Sequence, residues 1–404
     1  MPRTASIIIT IFILMNVALI PAAGQSPDTA APGTILSVDF DRRFTPRQIN
    51  QLAPKHFKSI DPPDAKYAVD VFIITFASTH VDGEPAVIKA QLFVPRLKAE
   101  EVRPAYIFAT GSTGLVDACR PSRAHIAGIN WGEYRIHVMS YAGQGMIGLL
   151  PDYTGFGEPD RLQPYYVAEP EAMMLLDAIR AVNDFFDMPE YEEYYADPHP
   201  AAFLAGYSQG GHAIFAAADY RDEYAPEVEI GGVIGYGPAR GVADLFREFT
   251  VSAPLVMYTY SWIYGEENFN PALMLQDRWL KTLEQDVTRL CIGAIQDYYP
   301  WVAAELYRPE FNSALFDGTL AEKYPKIAEL MEENSTGLTG HGVSALILQG
   351  TDDVVVHPPT MNKFVNDLRE KGSKVTYYVY EGSPHDTRAI SFPRVVDWME
   401  ESIE

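Results

Sequence analysis

Residues 201–220 read AAFLAGYSQGGHAIFAAADY. The first seven form an apolar run of strand length, and the residues after Gly210 are alanine-rich and helical in character. Between them stands Gly206-Tyr207-Ser208-Gln209-Gly210, which leaves no room for a loop. A strand that becomes a helix within one residue must bend sharply. Glycines are needed there because side chains would collide with neighbouring backbone. The bend lifts the Ser208 hydroxyl clear of a sheet and aims the N-terminus of the helix at it. A bare Gly-x-Ser-x-Gly arises by chance in about one chain in seven of this length. Its position between strand and helix carries the information; an idle serine in a glycine turn is the bland alternative.

The surrounding pattern sets the fold class. Residues 67–79 and 86–95 are β-rich and flank an Asp82-Gly83 turn, as in a hairpin. Residues 104–111 form a continuous apolar run, the mark of a strand buried on both faces. Helix-like and strand-like segments then alternate through residue 240: 130–145, 146–153, 169–186, 201–207, 210–224 and 228–239. Such alternation implies a mainly parallel sheet flanked by helices. It lapses between 241 and 338, where aromatic, helix-like segments appear without a convincing strand, and resumes over 339–404. This predicts one α/β core in two parts, 67–240 and 339–404, with an inserted helical cap at 241–338. Residues 25–66, rich in proline, read as an irregular N-terminal segment.

Residues 1–24 read as a signal peptide: Arg3 supplies the basic start, Ile7 to Ile20 an apolar stretch short for a bilayer, and Pro21 to Gly24 small residues before a cut. The mature protein is expected to be secreted or periplasmic, without stable membrane insertion. An uncleaved anchor is the alternative. The formal charge of -23, from 31 basic and 54 acidic residues, disfavours nucleic acid and anionic membranes as partners. The two cysteines, Cys119 and Cys291, favour one disulfide in an oxidising compartment. No CxxC or His/Cys cluster suggests a metal.

A serine hydroxyl needs a base, and the base an orienting acid. On an elbow of this kind both follow later strands, acid first. Asp352 and Asp353 both follow the apolar run 343–350. His385 follows the run 374–381, in a loop with Gly382 and Pro384, and is preferred over His357, the rival just after the acid turn. His212 lies inside the elbow helix and reads as a packing residue. The Gln209 N–H, first in the helix, is placed to bind an oxyanion. The second donor is expected from the glycine-bearing loop after residues 104–111, with the Ser112 N–H first and Thr113 second. The aromatic residues of the cap, Tyr258 to Trp301, could wall an acyl site or simply pack.

These pieces, in this order, resemble the α/β-hydrolase superfamily and, within it, the secreted lipases of the fungal secretory and lipase A-like kind, with bacterial relatives. The matching stretches are TGSTGLVDACRPS, YAGQGMIGLLPDYTGFG, GYSQGGHA and YAPEVEIGGVIGYGPA, followed by the acid and histidine turns. The resemblance implies an α/β-hydrolase fold with a helical cap, and a Ser208-Asp353-His385 triad with the acid at the fourth position of Gly-x-x-Asp. Some relatives bond the Cys-x-Pro-Ser cysteine to the cap, which implies a Cys119–Cys291 disulfide. The implied activity is hydrolysis of a small-molecule or lipid ester with no cofactor. A peptidase or amidase would use the same triad, and a non-catalytic binding protein would keep only the fold.

Overall fold

The structure, a computed structural model, describes residues 26–58, 60–123 and 133–403. Its centre is a nine-stranded sheet. In chain order the strands are β1 (Ile35–Phe44), β2 (Val69–Thr79), β3 (Pro85–Pro95), β4 (Glu101–Arg103), β5 (Ala105–Ala109), β6 (Ile147–Pro151), β7 (Ala196–Pro198), β8 (Ala201–Tyr207), β9 (Glu229–Tyr236), β10 (Ala345–Gly350) and β11 (Val375–Tyr380). The sheet runs β1-β2-β3-β6-β5-β8-β9-β10-β11, and β4 pairs with β7 outside it. The first three strands are antiparallel to one another and β3 is antiparallel to β6. From β6 to β11 every pairing is parallel. Parallel strands need crossovers, and the helices between them cover both faces. That explains why β5, β6 and β10 are buried at every position.

Residues 26–58 and 60–66 are more ordered than their proline content suggests. The ten residues of β1 pair antiparallel with β2, and a helix follows at Pro46–Leu52 behind a Thr45 capping box. β1 is an edge strand, mostly half-exposed or exposed, so no continuous apolar run betrays it. The expected signal peptide lies outside the described residues. Among those described, no helix is long and apolar enough to cross a membrane.

One face of the sheet is covered by the helices Ala168–Phe186 and Gln209–Tyr224, the other by Tyr134–Gly143 and Phe392–Ile403. Between β9 and β10 the chain leaves the sheet and forms a cap of short helices, from Val242–Glu248 to Pro325–Glu333. No strand element lies in it among the described residues. Buried cap aromatics such as Tyr260, Phe269, Tyr299 and Tyr307 join the core cluster of that face. Cys119 and Cys291 are bonded, with Cα atoms 5.4 Å apart, and link the cap to the loop after β5 across 172 residues. A closure of that length restricts the unfolded chain by about 5 kcal/mol at most.

Candidate active site

The elbow is built from backbone. β8 ends at Tyr207, the helix starts at Gln209, and Ser208 alone makes the turn, with φ 54° and ψ −112°. A non-glycine residue at positive φ is strained, and such strain persists only where the surroundings over-determine it. Here the Ser208 N–H donates to Tyr236 O at 3.1 Å, while its carbonyl accepts from the Gly211 N–H at 2.8 Å and the Ala239 N–H at 3.1 Å. Gly210 lets the first turn of the helix press onto β5: a Cβ there would sit 2.0 Å from Ala109 O. Replacing Gly210 with alanine is expected to cost at least about 2–3 kcal/mol, read by denaturant unfolding, because only backbone could yield.

β10 and β11 end on the same edge as β8, so parallel pairing gathers three loops at the carboxyl ends of the strands. Asp353 follows β10 and is 3% exposed. Its Oδ1 accepts from the Val355 N–H at 2.8 Å and the Val356 N–H at 2.9 Å. Its Oδ2 accepts from Gln349 Nε2 at 3.0 Å and lies 2.8 Å from His385 Nδ1. Burial pushes the carboxyl up, but the hydrogen bonds from His385, Val356 and Val355 outweigh it and leave the group below its ordinary value. An ionised carboxylate fixes the proton of His385 on Nδ1. Nε2 is then the basic nitrogen; it is buried and has no hydrogen-bond partner among the described residues. Gly237 makes room for the ring, since a Cβ there would lie 2.8 Å from His385 Nδ1.

Ser208 and His385 line one cavity of about 310 Å³, together with Ser112 of the loop after β5. The Ser112 hydroxyl is bonded to the Tyr165 hydroxyl at 2.6 Å. Thr113 is drawn the other way: its carbonyl accepts from the Ile292 N–H at 2.9 Å. That bond and the neighbouring disulfide fix the start of the cap helix Ile292–Tyr298 over the site. Ile292, Gly293 and Gln296 therefore enter the cavity lining, beside Phe249 and Val355. Gln209 is the first residue of its helix, where an N–H has no intrahelical acceptor.

The rival residues go elsewhere. Asp352 is exposed and takes a bond from the Thr351 hydroxyl. His357 is exposed, caps the helix Pro358–Glu370 and lies 3.8 Å from Glu248. His212 is fully buried, paired with Glu171 at 2.6 Å. The cap aromatics read from the sequence pack or face outward, and none lines the cavity; Trp301 stacks edge-on to the lining residue Phe249, with centroids 5.3 Å apart. Asp152 serves its turn by accepting from the Ser122 N–H at 2.8 Å, and burial pushes its carboxyl up to about 7.

Sequence reasoning missed a brace beside the base. Arg388 is 1% exposed and lies over the rings of Tyr207 and Tyr134, 4.5 and 4.8 Å from their centroids. Asp386 accepts from its Nε at 2.8 Å and its Nη2 at 2.6 Å. Burial pushes the Asp386 carboxyl up, yet Arg388 holds it down at about 2. Tyr207 in turn stacks on the His385 ring, with centroids 4.9 Å apart. The only sequence signal is the closeness of Asp386 and Arg388 to His385. Among the described residues no cluster of three or more His, Cys, Asp or Glu side chains is arranged to hold a metal.

The arrangement suits nucleophilic acyl transfer: a hydroxyl on a strained turn and an imidazole oriented by a buried carboxylate line one cavity. The chain is 23% identical to lipase A of Moesziomyces aphidis over 337 residues, 79% of this chain and 69% of that protein. In three dimensions it is similar to the rice cell wall degrading esterase LipA of Xanthomonas oryzae (TM-score 0.70, 19% identity, 93% of this chain and 97% of that one). It is also similar to the closed state of Candida antarctica lipase A (TM-score 0.68, 19% identity, 94% and 84% covered). Both are α/β-hydrolase folds, as is this chain. The secretory lipase family model matches residues 122–403, more than half the sequence, so the chain belongs to the secretory lipase family and is a carboxylic ester hydrolase.

Proposed function

We propose that this protein is a secreted serine esterase or lipase whose triad is Ser208, His385 and Asp353. The observation that carries the reading is the His385 ring. Its Nδ1 is held by Asp353 at 2.8 Å, while its buried Nε2 is free of partners and the ring lines the cavity that holds Ser208. As the Ser208 oxygen attacks the ester carbonyl, His385 Nε2 takes the hydroxyl proton and Asp353 stabilises the imidazolium. The carbonyl electrons move onto oxygen, where the N–H groups of Gln209 and Ser112 bind the oxyanion. Collapse expels the alcohol, which takes the proton from Nε2 and leaves an acyl-serine. Water, deprotonated by the same nitrogen, then releases the acid and restores the enzyme. Phe249, Ile292 and Val355 offer the acyl chain an apolar wall.

A cavity of about 310 Å³ lies at the small end of ligand sites. Short acyl chains fit it better than long ones. With aryl esters of rising chain length, kcat/KM should peak at or below octanoate and fall at least about tenfold by palmitate, at roughly 1.4 kcal/mol per decade. An aryl phosphonate should label one serine, Ser208. Labelling elsewhere, or none, removes the triad; a peak at palmitate removes the short-chain preference alone.

A further inference from the structure

Beneath the elbow lies a buried polar cluster that the reaction above does not use. Glu171, in the first turn of the helix Ala168–Phe186, is 1% exposed; Gln209 and His212 of the elbow helix are fully buried. Glu171 Oε1 accepts from Gln209 Nε2 at 2.7 Å and from the Tyr166 N–H at 3.2 Å. Its Oε2 lies 2.6 Å from His212 Nδ1. On the other side of the ring, His212 Nε2 lies 2.6 Å from the main-chain oxygen of Asn334, at the end of the cap.

The partners decide the protons. A main-chain carbonyl can only accept, so Nε2 must carry a hydrogen. Oε1 accepts from two N–H groups and Oε2 faces Nδ1, so a single proton lies between the carboxyl and the ring. We infer that Glu171 and His212 form a buried hydrogen-bonded pair whose task is to position Gln209, holding its main-chain N–H at the oxyanion.

The geometry suits that task. One carboxylate grips residues 209 and 212, which lie one helical turn apart on the same face. It thus fixes both the rotation and the height of the first turn of the elbow helix. The Gln209 side chain has no other anchor among the described residues, since its Oε1 is buried without a partner. The far side is braced as well: Asn334 Oδ1 accepts from the Ala168 N–H at 2.9 Å, and Tyr260 donates to Tyr166 O at 2.6 Å. Glu171 and His212 act through Gln209 and are positioning residues. The inference rests on the assignment of the Gln209 N–H to the oxyanion hole.

Three measurements on the full-length enzyme test it. Nitrogen-15 NMR of the wild type should show His212 carrying a proton on Nε2. Glu171→Ala should lower kcat by about 10- to 100-fold with KM changed less than about twofold, as for loss of an oxyanion contact. Glu171→Gln should recover most of that loss. Its amide oxygen can still accept from Gln209 and Tyr166, and its NH2 can donate to Nδ1 while Nε2 keeps its proton. If Glu171→Ala does not fold, Gln209→Ala, which keeps the main-chain N–H and deletes its anchor, should show the same loss in kcat at unchanged KM. A bare His212 Nε2 in the wild type, or an unchanged kcat in the variant that folds, overturns the inference. Phosphonate labelling keeps the two readings apart: full labelling of Ser208 with kcat insensitive to the anchor sinks the positioning role alone, whereas an unlabelled Ser208 sinks the triad beneath it.

Discussion

Ser208→Ala is expected to lower kcat on an aryl ester by at least about a thousandfold while leaving the fold intact. In the proposed mechanism the Ser208 hydroxyl is the attacking atom, and alanine has none. Removing it costs little stability, because the Ser208 side chain makes no hydrogen bond among the described residues and is 8% exposed, at a cavity wall. Unfolding in denaturant should therefore move by less than about 1 kcal/mol. A companion variant separates chemistry from strain. Ser208→Gly relieves a residue held at φ 54° and ψ −112°, and should stabilise the protein by about 1 kcal/mol while abolishing the same activity. Near-wild-type turnover in either variant would remove Ser208 as the nucleophile.

Asp353→Asn is expected to lower kcat by about 10⁴-fold, far more than a near-isosteric change would cost at a surface. The reason lies in the four contacts of the carboxylate. Oδ1 faces two main-chain N–H groups and Oδ2 faces Gln349 Nε2 and His385 Nδ1. An amide that turns its NH2 toward Val355 and Val356 opposes two donors, whereas turned toward His385 it opposes only Gln349 Nε2. It therefore turns its NH2 toward His385. Nδ1 then becomes the acceptor, the ring proton moves to Nε2, and the nitrogen that should take the Ser208 proton is already occupied. The loss should appear in kcat with KM little changed, and phosphonylation of Ser208 should slow in parallel. Unaltered phosphonylation would show that Asp353 does not orient the base.

Much of this was legible in the chain. Gly206-Tyr207-Ser208-Gln209-Gly210 between an apolar run and an alanine-rich helix is a local signal, because a tight strand-to-helix bend allows few residue types. The buried strands β5, β6, β8 and β10 announce themselves as apolar runs, since helices cover both their faces. The cap is visible as a break in that rhythm. The edge strand β1 is not: it is buried on neither side, so its apolar positions are diluted by Asp39, Asp41, Arg42 and Arg43.

The choice between Asp352 and Asp353 could not be made from adjacent identical residues by pattern alone. It is a matter of which carboxylate the turn points inward, and the main-chain N–H groups of residues 355 and 356 decide that. The cavity wall is likewise a product of packing. Phe249, Ile292 and Gln296 enter it because the cap is stapled to the loop after β5, and Arg388 because it is caged by two tyrosines. Residue order thus determined the elbow, the alternation of strand and helix and the place of the insertion, all of which depend on neighbours in the chain. Only tertiary structure decided which side chains meet, as Glu171 meets His212 across 41 residues, because no local rule records who is buried with whom.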